Sequence, residues 1–540
     1  MKAAEAIVKC LINENVDTVF GYPGGHILEV YEALRKSKIR HVLVRQEQAA
    51  AHSASGYARV SGKVGVCITT SGPGATNLIT GIATAYMDSI PLVAITGQVN
   101  STKIGRDMFQ EADITGATES FTKHSYLVKN ENDLPRIIKE AFYIASTGRP
   151  GPVLIDIPSD IQAAEIEKLV IPETVNIRGY KPTIKGHVGQ IKRAVKAISE
   201  SKRPLIIAGG GVLLSHAEGE LLSFVEKTGI PLVHTLMGKG SLPGDNRHYI
   251  GMIGNHGFSE ANRAVAKADL LIIIGTRVAD RAWGGISDQT NEEARIIHID
   301  VDPAEIGKNV GTHIPLVGDA RTILTQMIDR VDRVDTDEWL KELKSFKKEH
   351  IKRKKEKAGS IDPKYVIETI SKKLDDNAVI VADVGQNQIW AARHFEDKIG
   401  RRFLTSGGLG TMGYGLPAAV GAKIAAPDRQ VVAVVGDGGF QMSLYELGTI
   451  SQNNLDIIIL LFNNSRLGMV RELQDRYYGK TNAVDLDKNP DFIKLCDAYG
   501  IKGVRINSDS ELEDAFETAI RHKGPFLLEC VVDPNESTIL

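Results

Sequence analysis

Short apolar runs alternate with helical stretches along most of this chain. In the first block, up to about residue 165, the runs that we predict as strands are Thr18–Tyr22, His41–Arg45, Val64–Thr70, Pro91–Thr96 and Pro152–Ile157. In the last block they are Val379–Val384, Val431–Val435, Ile457–Phe462 and Phe526–Val532. Uniformly apolar strands that alternate with helices are typical of parallel sheets covered on both faces. The pattern therefore predicts an α/β fold of three doubly wound domains with mainly parallel sheets.

A middle block repeats the alternation, with apolar runs in Arg203–Gly211, Ala268–Gly275 and Ile296–Asp302, and is separated from its neighbours by two connectors. The first connector, around Val170–Thr183, is punctuated by prolines, and the second, Asp335–Ser360, is densely charged. The basic run Lys347–Lys357 in the second connector is more typical of a solvated linker helix than of a phosphate-binding face. A chain of 540 residues is also too long for one hydrophobic core. We expect three domains, at 1–165, 185–335 and 360–540.

Composition narrows the classes of partner and compartment. The chain is 42% apolar and 24% charged with a net charge of −2, which gives no reason to expect nucleic acid or an anionic membrane as partner. Four widely spaced cysteines indicate reduced packing residues of an intracellular protein. No apolar run reaches the roughly 18 residues of a membrane span, and the N-terminus enters a helical pattern at once, so no signal peptide is expected. We expect a cytoplasmic protein.

Glycine-rich loops follow several of the predicted strands. Strand Val431–Val435 runs into Gly436-Asp437-Gly438-Gly439, and strand Ile457–Phe462 is followed by Asn463-Asn464. Glycines let backbone N–H groups and a helix N-terminus approach a diphosphate, while Asp437 and Asn464 offer the hard oxygen ligands that Mg²⁺ prefers. A lone Gly-Asp-Gly turn is common, but the two segments together predict a diphosphate and magnesium site.

This pair of segments is similar to the signature of the thiamine-diphosphate enzymes, and the chain resembles that superfamily along its whole length. The resemblance implies that Asp437, Asn464 and the main-chain carbonyl of Arg466 hold Mg²⁺. It further implies that the diphosphate is contacted by Val384, Gly385, Gln386, Asn387, Gly436, Gly438 and Gly439. Asn387 stands where many members of the family have histidine.

The same resemblance assigns the cofactor-activating carboxyl to Glu47. In the family this glutamate lies at the end of the second strand and hydrogen-bonds the aminopyrimidine ring of the cofactor. By itself a glutamate before a helix is more often a first-turn charge favoured by the helix dipole, but the matching residues extend to Gly56-Tyr57-Ala58-Arg59. The alanines after Glu47 make its surroundings apolar, which favours a protonated carboxyl. The resemblance implies that Glu47 and Asp437 meet across a subunit interface, in a homodimer or homotetramer.

Within the superfamily, the chain most closely resembles the catalytic subunits of acetohydroxyacid synthase, also called acetolactate synthase. The matching segments are Gly21–Gly25, Ser71–Asn77, Ala85–Pro91, Phe109–Glu111, Lys123–Ser125, Gly148–Pro152, Ser406–Pro417 and Leu467–Val470. Carried over by position, Gly410, Met412, Met442 and Met469 would contact the cofactor, and Gln110, Gly25, His26 and Lys123 would lie near the reacting centre. The implied reaction is decarboxylation of pyruvate and transfer of the two-carbon unit to a second 2-oxo acid, which gives 2-acetolactate and CO₂ for branched-chain amino acid biosynthesis.

The middle block resembles the FAD-binding domain of that family, in which FAD is structural. The implied flavin-binding residues are Gly209, Gly210, Gly211, Thr235, Leu236, His256, Gly275, Arg277, Asp300 and Asp319, with Arg149 from the first block. A triple glycine by itself is a poor indicator of a dinucleotide site.

Four departures from the family pattern bear on specificity. Leu473 replaces a tryptophan, and a wider pocket should weaken discrimination between acceptors, since one apolar side chain is worth only about 1–3 kcal/mol. His26 replaces a small residue. Its side chain is either a proton donor that diverts the two-carbon unit to aldehyde or a residue at the rim of the pocket. Ala279 removes a flavin contact, and the C-terminal arm of many relatives is expected to be missing after Pro534–Leu540.

Alternatives to the acetolactate synthase interpretation follow from these departures. The main one is a thiamine-diphosphate-dependent 2-oxo acid decarboxylase or another carboligase, and a flavin-linked pyruvate oxidase is a further one. A catalytically inactive nucleotide-binding subunit is a third, against which the presence of Glu47, Asp437 and Asn464 argues. A small regulatory subunit would be a further partner of the synthase.

Overall fold

The computed structural model describes residues 1–284, 291, 293–346, 359–398 and 400–538. These residues form three six-stranded sheets in which the strand pairs are parallel. The strands are β1 (Thr18–Tyr22), β2 (Arg40–Leu43), β3 (Gly65–Thr69), β4 (Leu92–Gln98), β5 (His124–Leu127), β6 (Pro152–Pro158), β7 (Pro204–Ala208), β8 (Leu232–His234), β9 (Tyr249–Met252), β10 (Leu270–Ile274), β11 (Arg295–Asp300), β12 (Ile314–Val317), β13 (Val379–Ala382), β14 (Arg402–Thr405), β15 (Val431–Gly436), β16 (Ile458–Asn463), β17 (Lys502–Ile506) and β18 (Phe526–Val531). The predicted fold class is confirmed.

Helices connect the strands of each sheet. The α-helices are α1 (Ala3–Asn13), α2 (Leu28–Arg35), α3 (Glu47–Ser61), α4 (Pro73–Thr76), α5 (Ile79–Asp88), α6 (Ile114–Thr118), α7 (Leu134–Ser146), α8 (Ser159–Ala163), α9 (Val188–Glu200), α10 (Gly210–Leu214), α11 (Glu218–Thr228), α12 (Ser259–Lys267), α13 (Asp280–Trp283), α14 (Ala320–Ile328), α15 (Asp337–Ser345), α16 (Pro363–Lys373), α17 (Gln386–His394), α18 (Gly415–Ala425), α19 (Asp437–Ser443), α20 (Leu447–Gln452), α21 (Gly468–Tyr478), α22 (Phe492–Ala498) and α23 (Leu512–Arg521). Short 3₁₀ turns lie at Gly25–Ile27, Ser101–Lys103, Glu119–Phe121, Glu131–Asp133, Leu236–Gly238, Leu444–Glu446 and Asp509–Glu511. None of the helices within the described ranges is long and apolar enough to cross a bilayer.

The N-terminal and C-terminal sheets share one strand order, and the central sheet has another. The N-terminal order is β2-β1-β3-β4-β6-β5, and the C-terminal order, β14-β13-β15-β16-β18-β17, repeats it. The central order, β12-β11-β10-β7-β8-β9, reverses direction between β7 and β10. That reversal is the topological switch point at which open α/β sheets bind ligands, and six strands in this order form the usual dinucleotide-binding arrangement.

The chain divides into two compact units. The first comprises Met1–Tyr180, Val379–Gln388 and Leu404–Asn535 and contains the N-terminal sheet and nearly all of the C-terminal sheet. The second comprises Lys181–Ala378, Ile389–Phe403 and Glu536–Leu540 and contains the central sheet. We refer below to the N-terminal, central and C-terminal domains by their sheets; the domain boundaries that the sequence predicts stay a prediction.

Small residues allow two helices of the first unit to pack backbone against backbone. A methyl group on Gly56 of α3 would overlap the carbonyl oxygen of Ala418 on α18, and one on Gly421 would overlap the carbonyl oxygen of Ser53. The hydroxyl of Ser53 donates to the carbonyl of Pro417 at 2.8 Å. This contact joins the N-terminal and C-terminal domains along α3, the helix whose first residue is Glu47.

The strands predicted from apolar runs are present with ends shifted by up to two residues. The strands that carry no specific prediction are β5, β8, β9, β12, β14 and β17. All but β8 lie at sheet edges, where one side of the strand meets solvent and the apolar run is interrupted, as in the partly exposed β5 and β17. The basic run Lys347–Lys357 lies outside the described residues. The four cysteines are buried and unpaired, as expected of packing residues.

Candidate active site

Asp437 and Asn464 follow neighbouring strands of the C-terminal sheet. Gly436 at the end of β15 pairs with Phe462 of β16, so the two side chains lie at the same edge. Asp437 is buried, and its carboxylate accepts hydrogen bonds from the Asn489 amide at 2.8 Å and from its own neighbour Gly438 N–H at 3.1 Å. The Asn464 amide oxygen accepts from the backbone N–H of Arg466 at 3.1 Å. The predicted metal ligands Asp437, Asn464 and Arg466 are therefore part of one local network.

The donor set at this edge suits a hard cation that also binds phosphate oxygens. Burial raises the pKa of Asp437 to about 6, so desolvation makes its charged form less favourable than in water, and a cation beside it would offset that cost. No group of three or more His, Cys, Asp or Glu side chains arranged to hold a metal occurs among the described residues. A metal here would rely on one carboxylate, one amide oxygen and a backbone carbonyl, which is the kind of sparse protein coordination that Mg²⁺ accepts beside phosphates.

The segment 384–387 follows β13, the neighbour of β15, and faces the same edge. Gly385 has a φ of +147°, a conformation that favours glycine, and a methyl group there would meet the Asn387 amide oxygen at 2.6 Å. The Asn387 amide group donates to the carbonyls of Asp383 and Val434 at 2.8 and 3.0 Å. The Gln386 side chain accepts from Asn464 at 2.9 Å and donates to Glu472 at 2.9 Å. The structure thus brings the predicted diphosphate segment against the predicted metal ligands.

Asp383, which the sequence reasoning missed, joins two of the predicted cofactor loops. Its buried carboxylate accepts the N–H groups of Val384 at 2.6 Å and of Gly413 at 3.0 Å. Burial raises the pKa of this carboxyl to about 7. Val384 begins one loop and Gly413 ends the loop that contains Gly410 and Met412, so a single side chain sets their spacing. An aspartate that ends a buried strand directly before a glycine loop was the signal available in the sequence.

The loop 406–413 also contacts the N-terminal domain. The Asp88 carboxylate accepts the N–H groups of Gly407 and Gly408 at 3.3 and 2.7 Å, and the hydroxyls of Thr84 and Thr411 lie 2.8 Å apart. Gly410 has a φ of +74°, and no atom lies within 4 Å of the position that a side chain would take. The loop therefore presents open backbone at Gly410 while its flanks are fixed.

Methionines and glycines line the same edge. A methyl group on Gly438 would lie 3.6 Å from the Met412 side chain, and one on Gly413 would lie 3.2 Å from Met442. Met442 is 52% exposed, and Met469 is half-buried at the start of α21. Gly439 packs on Asp383, where a methyl group would lie 3.1 Å from the carboxyl carbon.

Glu47 begins α3, four residues after β2 ends rather than at the end of the strand as the family resemblance implied. Its carboxylate accepts a hydrogen bond from the Asn77 side chain at 2.9 Å, and Gly74 keeps space beside it, since a methyl group there would lie 3.6 Å from its other oxygen. Of the alanines that follow, Ala49, Ala50 and Ala51 are buried. That the surroundings of the Glu47 carboxyl are apolar stays a prediction, since its hydrogen bond with Asn77 is exposed.

The turn that carries Glu47 is held by the C-terminal domain. The buried Glu446 carboxylate accepts the backbone N–H of Arg45 at 2.7 Å and that of Gln46, and it also accepts the Thr449 hydroxyl at 2.5 Å. The Arg45 guanidinium donates to the Gly448 carbonyl at 3.2 Å and to the Gln452 side chain at 2.6 Å. Burial raises the pKa of Glu446 to about 7. Sequence reasoning missed this carboxylate because nothing in its own segment marks it.

Gln110, Gly25 and His26 lie on adjoining loops of the N-terminal domain. Gln110 has a φ of +63°, and Ser71 donates its hydroxyl to the Gln110 carbonyl at 2.7 Å. The His26 ring nitrogen Nε2 lies 3.2 Å from the Phe109 carbonyl, an acceptor, so this nitrogen carries the proton. No atom lies within 4 Å of a side chain placed at Gly25. Whether His26 donates a proton in the reaction stays a prediction.

Lys123 directly precedes β5, and its side chain reaches the C-terminal end of α7. Its ammonium donates to the Thr147 carbonyl at 2.7 Å, to the Tyr180 hydroxyl at 2.9 Å and to the carbonyl of Ile144. These contacts use its three N–H donors within the fold. Its assignment near the reacting centre stays a prediction that none of these contacts supports.

In the central domain, the predicted flavin residues follow strands that end at one edge. Gly209–Gly211 follow β7 and Gly275 follows β10, and they meet so closely that a methyl group on Gly211 would lie 2.7 Å from the Gly275 Cα. The N–H groups of Gly209 and Gly211 donate to the carbonyls of Ile274 and Gly275 at 2.9 Å each, so these donors serve the loop packing rather than a phosphate. The glycines thus fit the switch point of a dinucleotide fold, with two of the three N–H groups already engaged.

The remaining flavin-site predictions also fall mainly on loops at this edge. Thr235 accepts from the Gly238 N–H at 3.3 Å in the turn that contains Leu236, and Asp319 caps α14 by accepting from Thr322. Asp300 accepts the N–H of Asp302 at 2.9 Å. The backbone carbonyls of His256 and Arg277 accept from Arg393 and Asn309, at 2.7 and 2.8 Å. Arg149 belongs to the first unit, where its guanidinium donates to Ser89 at 2.8 Å.

Comparison with known proteins assigns the family. Residues 1–117, 191–327 and 383–530 match the models of the thiamine pyrophosphate enzyme N-terminal TPP binding domain, central domain and C-terminal TPP binding domain, respectively. A "Probable acetolactate synthase large subunit" of Methanococcus aeolicus is 48% identical over 99% of this chain and 93% of its own length. An acetolactate synthase large subunit of Corynebacterium glutamicum is 47% identical over 96% of this chain and 84% of its own. The acetolactate synthase isozyme 3 large subunit of Escherichia coli is 42% identical over 99% and 96%. The chain belongs to the acetolactate synthase large-subunit family of thiamine pyrophosphate enzymes.

Proposed function

We propose that this chain is the catalytic subunit of a thiamine-diphosphate- and Mg²⁺-dependent acetolactate synthase. It decarboxylates pyruvate and joins the two-carbon unit to a second 2-oxo acid, with 2-acetolactate and CO₂ as products. The observation that carries the proposal is the assembly of Asp437, Asn464 and two glycine loops at one sheet edge, in a chain that matches acetolactate synthase large subunits over nearly its full length. When bound, thiamine diphosphate supplies the electron sink that decarboxylation and carbon–carbon bond formation require.

The residues of this chain then divide the remaining work. Asp437, Asn464 and the Arg466 carbonyl provide oxygen ligands for Mg²⁺, and the backbone at 384–387 and 436–439 approaches the diphosphate. Glu47 holds a proton at the aminopyrimidine ring from a position fixed by Asn77. Gln110 orients the second 2-oxo acid, and Met412 and Met442 form an apolar wall that excludes water from the reacting atoms.

The active unit is proposed to be a homodimer in which each site combines two chains. Large apolar side chains are exposed around the candidate site in the single chain: Leu409, Met442, Val470, Leu473, Tyr477 and Tyr478 in the C-terminal domain, and Phe109 in the N-terminal domain. Clustered exposed apolar side chains indicate a protein–protein interface. The name "large subunit" of the relatives supports a small partner subunit as well. The cytoplasmic location stays a prediction of the sequence.

FAD is proposed as a structural group of the central domain. The strand order and the meeting of the Gly209–Gly211 and Gly275 loops at the switch point support it. Ala279, which ends the turn before α13, offers no polar contact to a flavin. Flavin released from the purified protein by denaturation, measured by fluorescence against a protein-free control, tests this assignment separately from catalysis.

Product analysis tests the catalytic proposal. Purified protein with thiamine diphosphate, Mg²⁺ and pyruvate should form acetolactate as the main product, quantified together with acetaldehyde, with and without added FAD. Acetaldehyde without acetolactate would make the protein a decarboxylase, and turnover that requires an electron acceptor would make it an oxidase. The same assays with 2-oxobutyrate in competition with pyruvate measure the acceptor preference that Leu473 is expected to relax.

A further inference from the structure

Gln110 is held in a backbone conformation that needs support. Its φ of +63° lies in the left-handed region, which is strained for a residue other than glycine. The loop around it is exposed, and the neighbouring Phe109 side chain is 81% exposed. Because this loop is exposed, the candidates for its support are the buried side chains on its inner side.

Three buried side chains provide that support, and we call them the Asp156 relay. Ser71 donates its hydroxyl to the Gln110 carbonyl at 2.7 Å, and the same hydroxyl lies 3.2 Å from the Gln98 amide oxygen. The Gln98 amide group donates to the Ala112 carbonyl at 2.8 Å and to the Asp156 carboxylate at 2.9 Å. The relay therefore holds the loop backbone at Gln110 itself and two residues later, at Ala112.

The relay is anchored in the middle of the N-terminal sheet. Asp156 on β6 pairs in register with Thr96 on β4, whose hydroxyl donates to the carboxylate at 2.7 Å. Ser71, Gln98 and Asp156 are each at most 3% exposed. Buried polar groups are costly unless they are hydrogen-bonded. Here Ser71 and Gln98 each donate to a carbonyl of the loop, and Asp156 accepts from Gln98.

A second set of contacts holds the outer side of the loop. The Glu111 carboxylate accepts the Met108 N–H at 3.0 Å and the Gly105 N–H, and His26 donates to the Phe109 carbonyl at 3.2 Å. Gly72 allows the close approach, since a methyl group there would lie 2.9 Å from the Gln110 Cα. The polar contacts thus converge on the backbone of the loop and leave the Gln110 side chain free to face a ligand.

We propose that Ser71, Gln98 and Asp156 are positioning residues that orient Gln110 toward the second 2-oxo acid and so decide between ligation and aldehyde release. This inference rests on the proposed function. In ligation, two pyruvate anions and one proton give acetolactate and CO₂, with a new carbon–carbon bond at the acceptor carbonyl. In the competing outcome, one pyruvate anion and one proton give acetaldehyde and CO₂, with a carbon–hydrogen bond formed instead. A misplaced acceptor slows only the first outcome, since orientation contributes strongly to bond formation between two bound reactants.

Ser71→Ala is the direct test. Loss of one hydrogen bond is worth about 0.5–1.5 kcal/mol, so we expect the acetaldehyde-to-acetolactate ratio and the KM for the acceptor to rise by up to about tenfold, with total CO₂ release changed less than about threefold. Ser146→Ala is the matched control, because it removes a hydroxyl that also donates to a backbone carbonyl at 2.8 Å in the same domain. The control should leave the product ratio unchanged.

A readout on the protein without cofactor separates this proposal from the proposed function. Trypsin should cleave the exposed bond after Arg106 several-fold faster in Ser71→Ala than in wild type, with an unchanged melting temperature. Gln98→Met, which removes both amide donations at similar volume, should raise the product ratio and the rate of Arg106 cleavage in the same direction, with a lower melting temperature because Asp156 loses a buried partner. It covers the case in which Ser71→Ala does not fold. An unchanged product ratio or unchanged cleavage in a folded variant overturns the proposal. If wild type forms no acetolactate, the proposed function fails, and the Arg106 cleavage alone decides whether the relay holds the loop.

Discussion

The N-terminal and C-terminal domains have the same strand order, but the loops that follow their strands carry different chemical groups. In the C-terminal sheet, the loops after β13, β15 and β16 contain glycines, Asp437 and Asn464. In the N-terminal sheet, the loops after β1, β2 and β3 contain His26, Glu47 and Ser71. Under the proposed function, the first set binds an anion and a cation, and the second provides groups that hold a proton and orient a substrate. The same topology thus carries two functions because function resides in the loops.

The two domains also hold each other's site residues. Asp383 and Asn489 fix loops within the C-terminal domain, but the loop 406–413 is also held by Asp88 of the N-terminal domain, which accepts the N–H of Gly408 at 2.7 Å. The turn before Glu47 is fixed by Glu446, which belongs to the C-terminal domain. Changes in either domain can therefore disturb the half of the site that the other domain carries. The predictions below test what each half contributes.

The largest effect is expected from Glu47→Gln in the N-terminal domain. The variant keeps a hydrogen-bonding side chain but cannot hold an acidic proton, and loss of such a group costs typically 10²–10⁴-fold in rate. We expect kcat to fall by about that factor while the affinity for thiamine diphosphate changes less than about threefold. Steady-state kinetics and a cofactor titration measure the two quantities. Unchanged activity would falsify the assigned role of Glu47.

Asp437→Asn in the C-terminal domain should show the opposite pattern. Loss of the carboxylate ligand should raise the Mg²⁺ concentration needed for half-maximal activity by about 10–100-fold, with partial recovery of kcat at high Mg²⁺. Asp497→Asn, which changes an exposed carboxylate on α22, serves as the control for charge. If Asp437→Asn behaved like the control, Mg²⁺ would bind elsewhere.

The difference between the two domains also explains what could be predicted from the sequence. The C-terminal site was predictable because Asp437 and Asn464 follow apolar strands and come with their own glycines, so local pattern and function coincide. Glu47 required the family resemblance, because a glutamate that begins a helix has an ordinary structural explanation.

Residues that act through long-range contacts could not be found in this way. Glu446 reaches a turn about 400 positions away in the chain, and Asp156 reaches the backbone beside Gln110 through Gln98, which also donates to the Ala112 carbonyl. Edge strands such as β5 and β17 lack the continuous apolar run by which central strands are recognised. Sequence pattern therefore predicts the sheets and the loops that carry candidate ligands. The residues that hold those loops in place depend on tertiary packing and become visible only in the structure.

The helix contact between the two domains should tolerate no added atoms. Gly56→Ala places a methyl group against the backbone of α18, which cannot rotate away as a side chain could. We expect a loss of about 1–3 kcal/mol of stability, seen as a lower melting temperature together with lower activity. Gly219→Ala on α11 is the control, since its methyl group would meet no atom within 4 Å and should stabilise the helix by about 0.5–1 kcal/mol. Equal melting temperatures for the two variants would contradict the close packing.

The smallest and most specific effect concerns the pH dependence of the Glu446 contact. Burial raises the pKa of Glu446 from 4.5 to about 7, with the neighbouring Arg45 guanidinium offsetting part of the rise. The folded protein therefore binds the proton more tightly than the unfolded chain does between these two values. The stability that this group contributes is present below about pH 4.5 and is lost as the pH rises toward 7.

Glu446→Gln removes this titration and keeps an acceptor for one backbone N–H. The melting temperature of the variant relative to wild type should therefore improve from pH 5 to pH 8. We expect kcat to fall about three- to tenfold at every pH, because the amide has one acceptor oxygen where the carboxyl has two, and the turn before Glu47 loses a hydrogen bond. Glu226→Gln, at an exposed position on α11, should show a melting-temperature difference that is independent of pH. A pH-independent difference for Glu446→Gln as well would mean that the carboxyl is ionised throughout this range, whereas an unchanged kcat would mean that the N-terminal half of the site does not depend on the C-terminal domain.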